Sequence, residues 1–331
     1  MTSPRFPSDL SYSGPAISIE NLQHVYPPSR RGGQPVRALA GLSFSVCAGE
    51  LFGIVGPNGG GKTTLFKILS TALRPTDGRA LLCGRCVGAS PEQVRETIGV
   101  VFQSPSLDKK LSVLENLIHQ GRLYGLSGAS LRSRAEDLLD RVGVADRAGD
   151  IVETLSGGLQ RRVEIAKGLL HDPAVLLLDE PTTGLDPGAR KDVWTYLSAL
   201  VKQGVTVLVT THLMEEAERC DRLAFLDKGS LAALGTPTDL KSAIRGDVVT
   251  AATAEPNTLA EAIKTRFGLA VSVIDGAVRV DHPEGPRFVP QLVEGFPGLI
   301  TSVHVGKPTL EDVFVLRTGH RFWAEEKGNK P

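Results

Sequence analysis

Eight residues constrain this chain more than any others: "GPNGGGKT", Gly56 to Thr63, set between an apolar run, "LFGIV", and the helical pattern "GKTTLFKILSTAL". G-x-x-x-x-G-K-[ST] in a strand–loop–helix context is a phosphate-binding loop. Gly56, Pro57, Asn58, Gly59, Gly60 and Gly61 form the loop, and Lys62, Thr63 and Thr64 open the helix, whose apolar stripe is Leu65, Ile68, Leu69 and Leu73. Successive backbone N–H groups of such a loop wrap phosphates, Lys62 reaches the β- and γ-oxygens as a point charge, and the Thr63 hydroxyl ligates Mg²⁺.

A second stretch completes this chemistry. "VLLLDEPT", Val175 to Thr182, is an apolar strand that ends in two adjacent carboxylates. Strand alternation predicts that they point to opposite sides. Asp179 then lies beside the phosphate loop and holds Mg²⁺ through water. Glu180 faces outward and polarises a water for attack on the γ-phosphate. "VLLLD" and "VTVLVTTH" are continuous apolar runs of the kind buried in parallel sheets, so the framework is α/β.

A third stretch, "LSGGLQRRVEIAKGLL", is a Ser-Gly-Gly turn running into an amphipathic helix. A helix start presents free N–H groups and a positive dipole end, which make an anion site. The chain therefore has two such starts. Consecutive helical patterns without a strand between them mark a helical insertion over about 104–170.

The 331 residues predict two domains. Beyond Thr236, "DVVTAATA", "TLAEAIKTRFG", "AVSVID", "AVRVDH", "RFVPQLVEGF" and "ITSVHVG" read as β-α-β-β-α-β, the ferredoxin-like order, with Asp275-Gly276 as a hairpin turn. This small α+β domain is placed at 240–319, after a nucleotide-binding domain at 16–237. Residues 1–15 and 320–331 read as tails. Thr309-x-x-Asp312 reads as a capping box opening a last helix.

Lys+Arg and Asp+Glu balance at 37 each, which gives no electrostatic case for binding nucleic acid. No stretch approaches the ~20 apolar residues of a membrane span, and the N-terminal residues are not a secretory signal. Contact with a membrane is expected only through a partner. Cys83 and Cys86 form a C-x-x-C, but no second pair completes a zinc site, and the stretch reads as strand and turn.

The ordered stretches "GPNGGGKTT", "VVFQSPSLD", "LSGGLQRR", "VLLLDEPTTGLDP" and "VTTH" resemble the ATP-binding cassette ATPases of ABC transporters over roughly Ile17 to Pro237. The resemblance implies a P-loop NTPase fold (ABC cassette) with a helical subdomain, with ATP and Mg²⁺ as ligands. It implies that Gln103 is the Q-loop glutamine that touches the metal and the attacking water. His212 becomes the switch histidine on the γ-phosphate, Asp186 the D-loop aspartate at a dimer seam, and Tyr26 the aromatic stacked on adenine. In this family two copies sandwich two ATP molecules. Ser156 and the N–H groups near Gly157 and Gly158 of one copy then bind the γ-phosphate held by the other. Many signatures of the family carry Gln where Leu159 stands, a change expected to leave the ATP contacts in place.

"SPSLDKKLSVLENL", the signature stretch and "PTLEDVF" resemble the daunorubicin-resistance and nodulation-type export ATPases, which imply an ABC-2 type permease partner at the cytoplasmic membrane face. The alternatives are a soluble non-transport cassette ATPase and an importer ATPase. A single phosphate loop and the lack of a sustained heptad run count against the first. The β-α-β-β-α-β texture and the "LEDVF" ending count against the second.

Overall fold

The computed structural model describes residues 13–28, 33–274, 276–320 and 322. Two compact units divide between Leu231 and Ala232. The first begins with strands β1 (Ile17–Tyr26), β2 (Val36–Val46) and β3 (Leu51–Val55), then helix α1 (Lys62–Leu69). Strands β4 (Asp77–Leu82) and β5 (Arg85–Cys86), helix α2 (Pro91–Thr97) and β6 (Ile98–Val101) follow. Helices α3 (Val113–Leu123), α4 (Gly128–Arg141) and α5 (Gly157–Gly168) come next. The unit ends with β7 (Val175–Asp179), α6 (Pro187–Lys202), β8 (Thr206–Thr211), α7 (Met214–Ala217), β9 (Arg222–Asp227) and β10 (Ser230–Gly235), the division falling inside β10.

The main sheet has the order β10-β9-β3-β8-β7-β6, and the pairs β9/β3, β3/β8, β8/β7 and β7/β6 are parallel. Every residue of β3, β7 and β8 is buried, as continuous apolar runs in a two-sided sheet require. Leu177 and Leu208 are wholly inaccessible, and each such leucine contributes roughly 1.5–3 kcal/mol. Because β3 and β7 lie on either side of β8, the carboxyl ends of Val55 and Asp179 open at one edge of the sheet. That is where an open α/β sheet holds its ligand.

A separate antiparallel sheet, β2-β1-β4-β5, packs its inward residues Ile17, Ile19, Leu22, Leu42, Val46 and Leu82 with Phe52, Ile54 and the α1 leucines. Alternating burial along β1 shows why the period-two pattern was legible there, whereas the pairing partners were not. "LSFSVCAGELFGIVG" divides at Cys47–Gly49 into one strand of each sheet. Cys83, at φ 47°, makes the turn from β4 to β5 beside Gly84. All four cysteines are free thiols, and burial pushes the Cys83 thiol up, away from reactivity.

In the helical insertion, Ser112 and Glu115 close a capping box at the start of α3: Glu115 N donates to Ser112 Oγ at 3.2 Å and Ser112 N to Glu115 Oε2 at 2.8 Å. Leu117, Leu131, Ala135, Leu138 and Leu139 join α3 and α4 to the core that continues through Val163, Leu170 and Leu176.

The second unit contains α8 (Pro237–Ser242), β11 (Asp247–Ala252), α9 (Pro256–Phe267), β12 (Val271–Ile274), β13 (Ala277–His282), α10 (Gly285–Gly295), β14 (Ser302–Gly306) and α11 (Leu310–Thr318). Its sheet order, β12-β13-β11-β14 with every pair antiparallel, is ferredoxin-like. Val249, Leu259, Ile263, Val278, Phe288 and Leu292 form its core. Asp275 of the hairpin turn lies outside the described residues, but Ile274 pairs with Ala277 across it. Thr309 and Asp312 form a capping box at α11. Two boundaries differ from the sequence expectation. The unit begins at Ala232, before Pro237, and α8 packs on α11 within it. Phe322, in the stretch read as a tail, is buried edge-to-face against Phe314 at 4.9 Å. Residues 1–12 and 323–331 of the two tails lie outside the described residues. Among the described residues no helix is long and apolar enough to cross a membrane.

Candidate active site

The site starts where β3 ends. Gly56 follows Val55 directly, and a Cβ there would stand 2.3 Å from the Leu226 carbonyl oxygen of β9. That oxygen belongs to a strand held in register with β3, so it cannot yield. Gly56→Ala is expected to lower stability by about 1–3 kcal/mol through overpacking and to weaken nucleotide binding with it. Urea unfolding checks this, and an unchanged midpoint would contradict the close approach. Further along, Gly61 precedes α1 at φ 104°, a left-handed conformation that turns the chain into the helix and favours glycine. Gly60 N donates to Pro57 O at 3.1 Å, which closes the loop on itself.

Lys62 is buried at the first turn of α1. Its Nζ donates to Gly56 O at 2.7 Å and Pro57 O at 3.1 Å, and it lies 3.7 Å from Glu180 Oε1. Burial lowers the pKa of the ammonium, and the Glu180 and Asp179 carboxylates oppose that shift. Thr63 is exposed at the helix start, while Thr64 is buried with its Oγ1 3.3 Å from the Tyr26 hydroxyl. Tyr26, at the end of β1, is thereby placed beside the phosphate loop.

Asp179 ends β7 with its carboxylate buried. Burial raises its pKa, partly offset by a hydrogen bond from Thr210 Oγ1 at 2.5 Å. Glu180 does not face outward. Its φ is 44°, so the strand alternation breaks at this residue and the carboxylate turns back into the site. It is buried, and its Oε2 accepts from Gln103 Nε2 at 3.1 Å and from Thr183 Oγ1 at 3.3 Å, with His212 Nδ1 3.1 Å away. A left-handed glutamate costs of order 1–3 kcal/mol and persists only where its surroundings over-determine it. Here Glu180 N donates to Thr210 Oγ1 at 3.0 Å, so one threonine holds both acidic residues.

One neighbourhood therefore unites Tyr26, the phosphate loop, Lys62, Gln103, Asp179, Glu180 and His212. Ser156, Gly157, Gly158 and Asp186 form a different cluster. Ser156 and Gly157 are exposed, and Ser156 Oγ accepts from Leu159 N at 3.4 Å as the cap of α5. Asp186 Oδ1 accepts from Ala189 N at 2.9 Å as the cap of α6. A Cβ on Gly158 would meet that of Ala189 at 2.6 Å, so the two helix starts pack closely. Leu159 packs on the helical core. Among the described residues no hydrogen bond joins Ser156 to the phosphate loop.

Three residues central to the site were not read from the sequence. Thr210 is one. The others are Arg161 and Glu164, a buried ion pair at 2.7 Å. Arg161 donates to the carbonyls of Phe102 at 2.8 Å and Gln103 at 3.1 Å, and Glu164 accepts from Ser106 N at 2.6 Å. The segment carrying Gln103 is thus bolted to α5. The available signal was positional: Arg161 and Glu164 stand on the same helical stripe as buried Ile165 and Gly168, where charges need partners.

With that geometry in hand, the likenesses to known proteins are specific. A family model described as ABC transporter matches residues 39–183. The daunorubicin/doxorubicin resistance ATP-binding protein DrrA of Streptomyces peucetius is 39% identical over 92% of this chain and 93% of that protein. The Nod factor export ATP-binding protein I of Burkholderia lata is 40% identical over 84% of this chain and 91% of that protein. A dimeric, post-hydrolysis structure of the ATP-binding cassette MJ0796 with ADP and Pi has a TM-score of 0.60 and 28% identity, over 66% of this chain and 98% of that one. The chain belongs to the ABC transporter family, as one of its ATP-binding, ATP-hydrolysing proteins.

Proposed function

We propose that this chain is the ATPase subunit of an exporter, working as a homodimer beneath a separate membrane permease of ABC-2 type at the cytoplasmic membrane face. One observation carries the dimer. The phosphate site around Lys62 and Glu180 is assembled in one chain, while a second anion-binding helix start, at Ser156, is exposed and unconnected to it. In the head-to-tail arrangement, Ser156 and the N–H groups near Gly157 and Gly158 of one copy meet the γ-phosphate held by the other, and Asp186 lies at the seam between the copies. The cassette similar to this chain was seen as a dimer with ADP and Pi. The export role follows the two relatives named above, which match nearly the whole chain.

Within the site, Tyr26 stacks on the adenine, the loop from Gly56 to Thr64 wraps the phosphates, and Lys62 contacts the β- and γ-oxygens. Glu180 accepts a proton from the attacking water, and Gln103 and His212 hold that carboxylate and the γ-phosphate in place. The Thr63 hydroxyl, the Asp179 carboxylate and Gln103 suit Mg²⁺, a hard cation that takes one carboxylate together with substrate phosphates. Mg²⁺ supplies charge neutralisation on the phosphate oxygens.

The test is a pull-down of tagged full-length chain from solubilised native membranes, with and without ATP. Its control reverses the charges of exposed Lys109 and Lys110 beside the Gln103 segment. A polytopic membrane protein is expected to co-purify with the wild-type chain and to be lost from the control, whose ATPase activity persists. Co-purification with ribosomes or DNA instead would end the transport assignment.

A further inference from the structure

One buried carboxylate has no part in the chemistry above. Glu216, on the single-turn helix α7, is 2% exposed. Its two oxygens are taken by separate donors: Thr182 Oγ1 donates to Oε1, and Thr211 Oγ1 donates to Oε2 at 2.5 Å. Both threonines are 1% exposed. Arg190 Nε lies 4.0 Å from Oε1. Thr182 follows Glu180 by two positions, and Thr211 directly precedes His212.

Burying a carboxylate is costly, and an apolar side chain of similar size would fill the same space without that cost. An ionised carboxylate is acceptor-only, so it makes donors of both hydroxyls. That leaves a Thr211 lone pair for Leu213 N, which donates to Thr211 Oγ1 at 3.0 Å and sets the turn after His212. A glutamine in its place offers one acceptor oxygen and an NH₂ group, and the NH₂ would face a hydroxyl already poised to donate. The strained backbone of Glu180 needs such external constraint, and Thr182 is the anchor just beyond it.

We propose that Glu216 is a positioning residue for ATP hydrolysis: its carboxylate ties the segment carrying Glu180 to the segment carrying His212. It thereby maintains the 3.1 Å approach of His212 Nδ1 to Glu180 Oε2. The inference rests on the assignment of Glu180 as the hydrolytic carboxylate. Glu216 and Thr211 are 2% and 1% exposed and their polar atoms are taken by protein partners, so the effect falls on the chemical step and not on binding.

The experiment measures kcat and KM for Mg-ATP on the full-length chain and on Glu216→Gln, Thr211→Val and Thr211→Ser, with Glu180→Gln as reference. Thr211→Val preserves shape and removes the hydroxyl; Thr211→Ser keeps the hydroxyl. Glu216→Gln and Thr211→Val are expected to lower kcat by about tenfold or more, as small misplacements of a catalytic group do, with KM within about twofold. Thr211→Ser should stay close to wild type. If Glu216→Gln fails to fold, Thr211→Val carries the test alone. A kcat within about twofold of wild type in Thr211→Val, a loss confined to KM, or an equal loss in Thr211→Ser overturns the proposal. Wild-type turnover by Glu180→Gln would instead remove the assignment beneath it, so the two failures are distinct.

Discussion

Replacing Glu180 by Gln is expected to leave ATP binding intact and to slow hydrolysis by about 10²–10⁴-fold, the usual contribution of a positioned general base. That loss corresponds to roughly 3–5 kcal/mol of transition-state stabilisation. The amide fills the same space, and its oxygen can still accept from Gln103 Nε2 or Thr183 Oγ1, both of which approach the carboxylate now. What it cannot do is take a proton from water. Lys62, no longer 3.7 Å from an opposing carboxylate, keeps its bonds to Gly56 O and Pro57 O and remains free to meet phosphate. Bound ATP then persists, and with it the two-copy sandwich. Size-exclusion chromatography with Mg-ATP should show a stable dimer of Glu180→Gln where the wild-type chain shows a transient one. Equal turnover by the two proteins would remove Glu180 from the mechanism.

The second large effect is at Lys62. Lys62→Ala is expected to weaken ATP binding by about 10–100-fold, the worth of one or two charge-assisted hydrogen bonds, and to reduce hydrolysis further. The loss has two parts. One is the missing ammonium on the β- and γ-oxygens. The other is structural: Nζ now satisfies two carbonyls of the loop, and without it the Gly56 and Pro57 oxygens and the buried Glu180 carboxylate lose their shared cation. Lys62→Arg should not rescue the site, because a planar guanidinium does not fit a space shaped for a compact point charge. Calorimetric titration with a non-hydrolysable ATP analogue separates binding from turnover. Undiminished affinity in Lys62→Ala would contradict the loop assignment.

How far the site was legible follows from the range of each interaction. The phosphate loop could be read because strand, glycine turn and helix start are consecutive, and the chemistry of each lies within a few residues. The same holds for the capping box at Thr309 and Asp312 and for the helix start at the Ser-Gly-Gly turn. The orientation of Glu180 could not be read. Alternation along β7 put it on the outer side, whereas a left-handed backbone and side chains from two distant segments, Gln103 and His212, hold it inward. Arg161, Thr210 and Glu216 carry no motif of their own and acquire meaning only from partners remote in the chain.

The sequence by itself determined which local elements form and which chemistry they carry: a phosphate loop on α1, an acidic end on β7, a second anion-binding start on α5, and the β-α-β-β-α-β run of the last unit. Each depends on turn chemistry, capping or hydrophobic period, all short-range properties. Only the tertiary structure decided how the strands are shared between a parallel and an antiparallel sheet, and that Thr210 holds both acidic residues at once. It alone decided that Glu216 is buried between the strands' two exits. Those choices depend on which surfaces meet when the core closes, and a register or a buried donor–acceptor pair between distant segments leaves no periodic trace in either one.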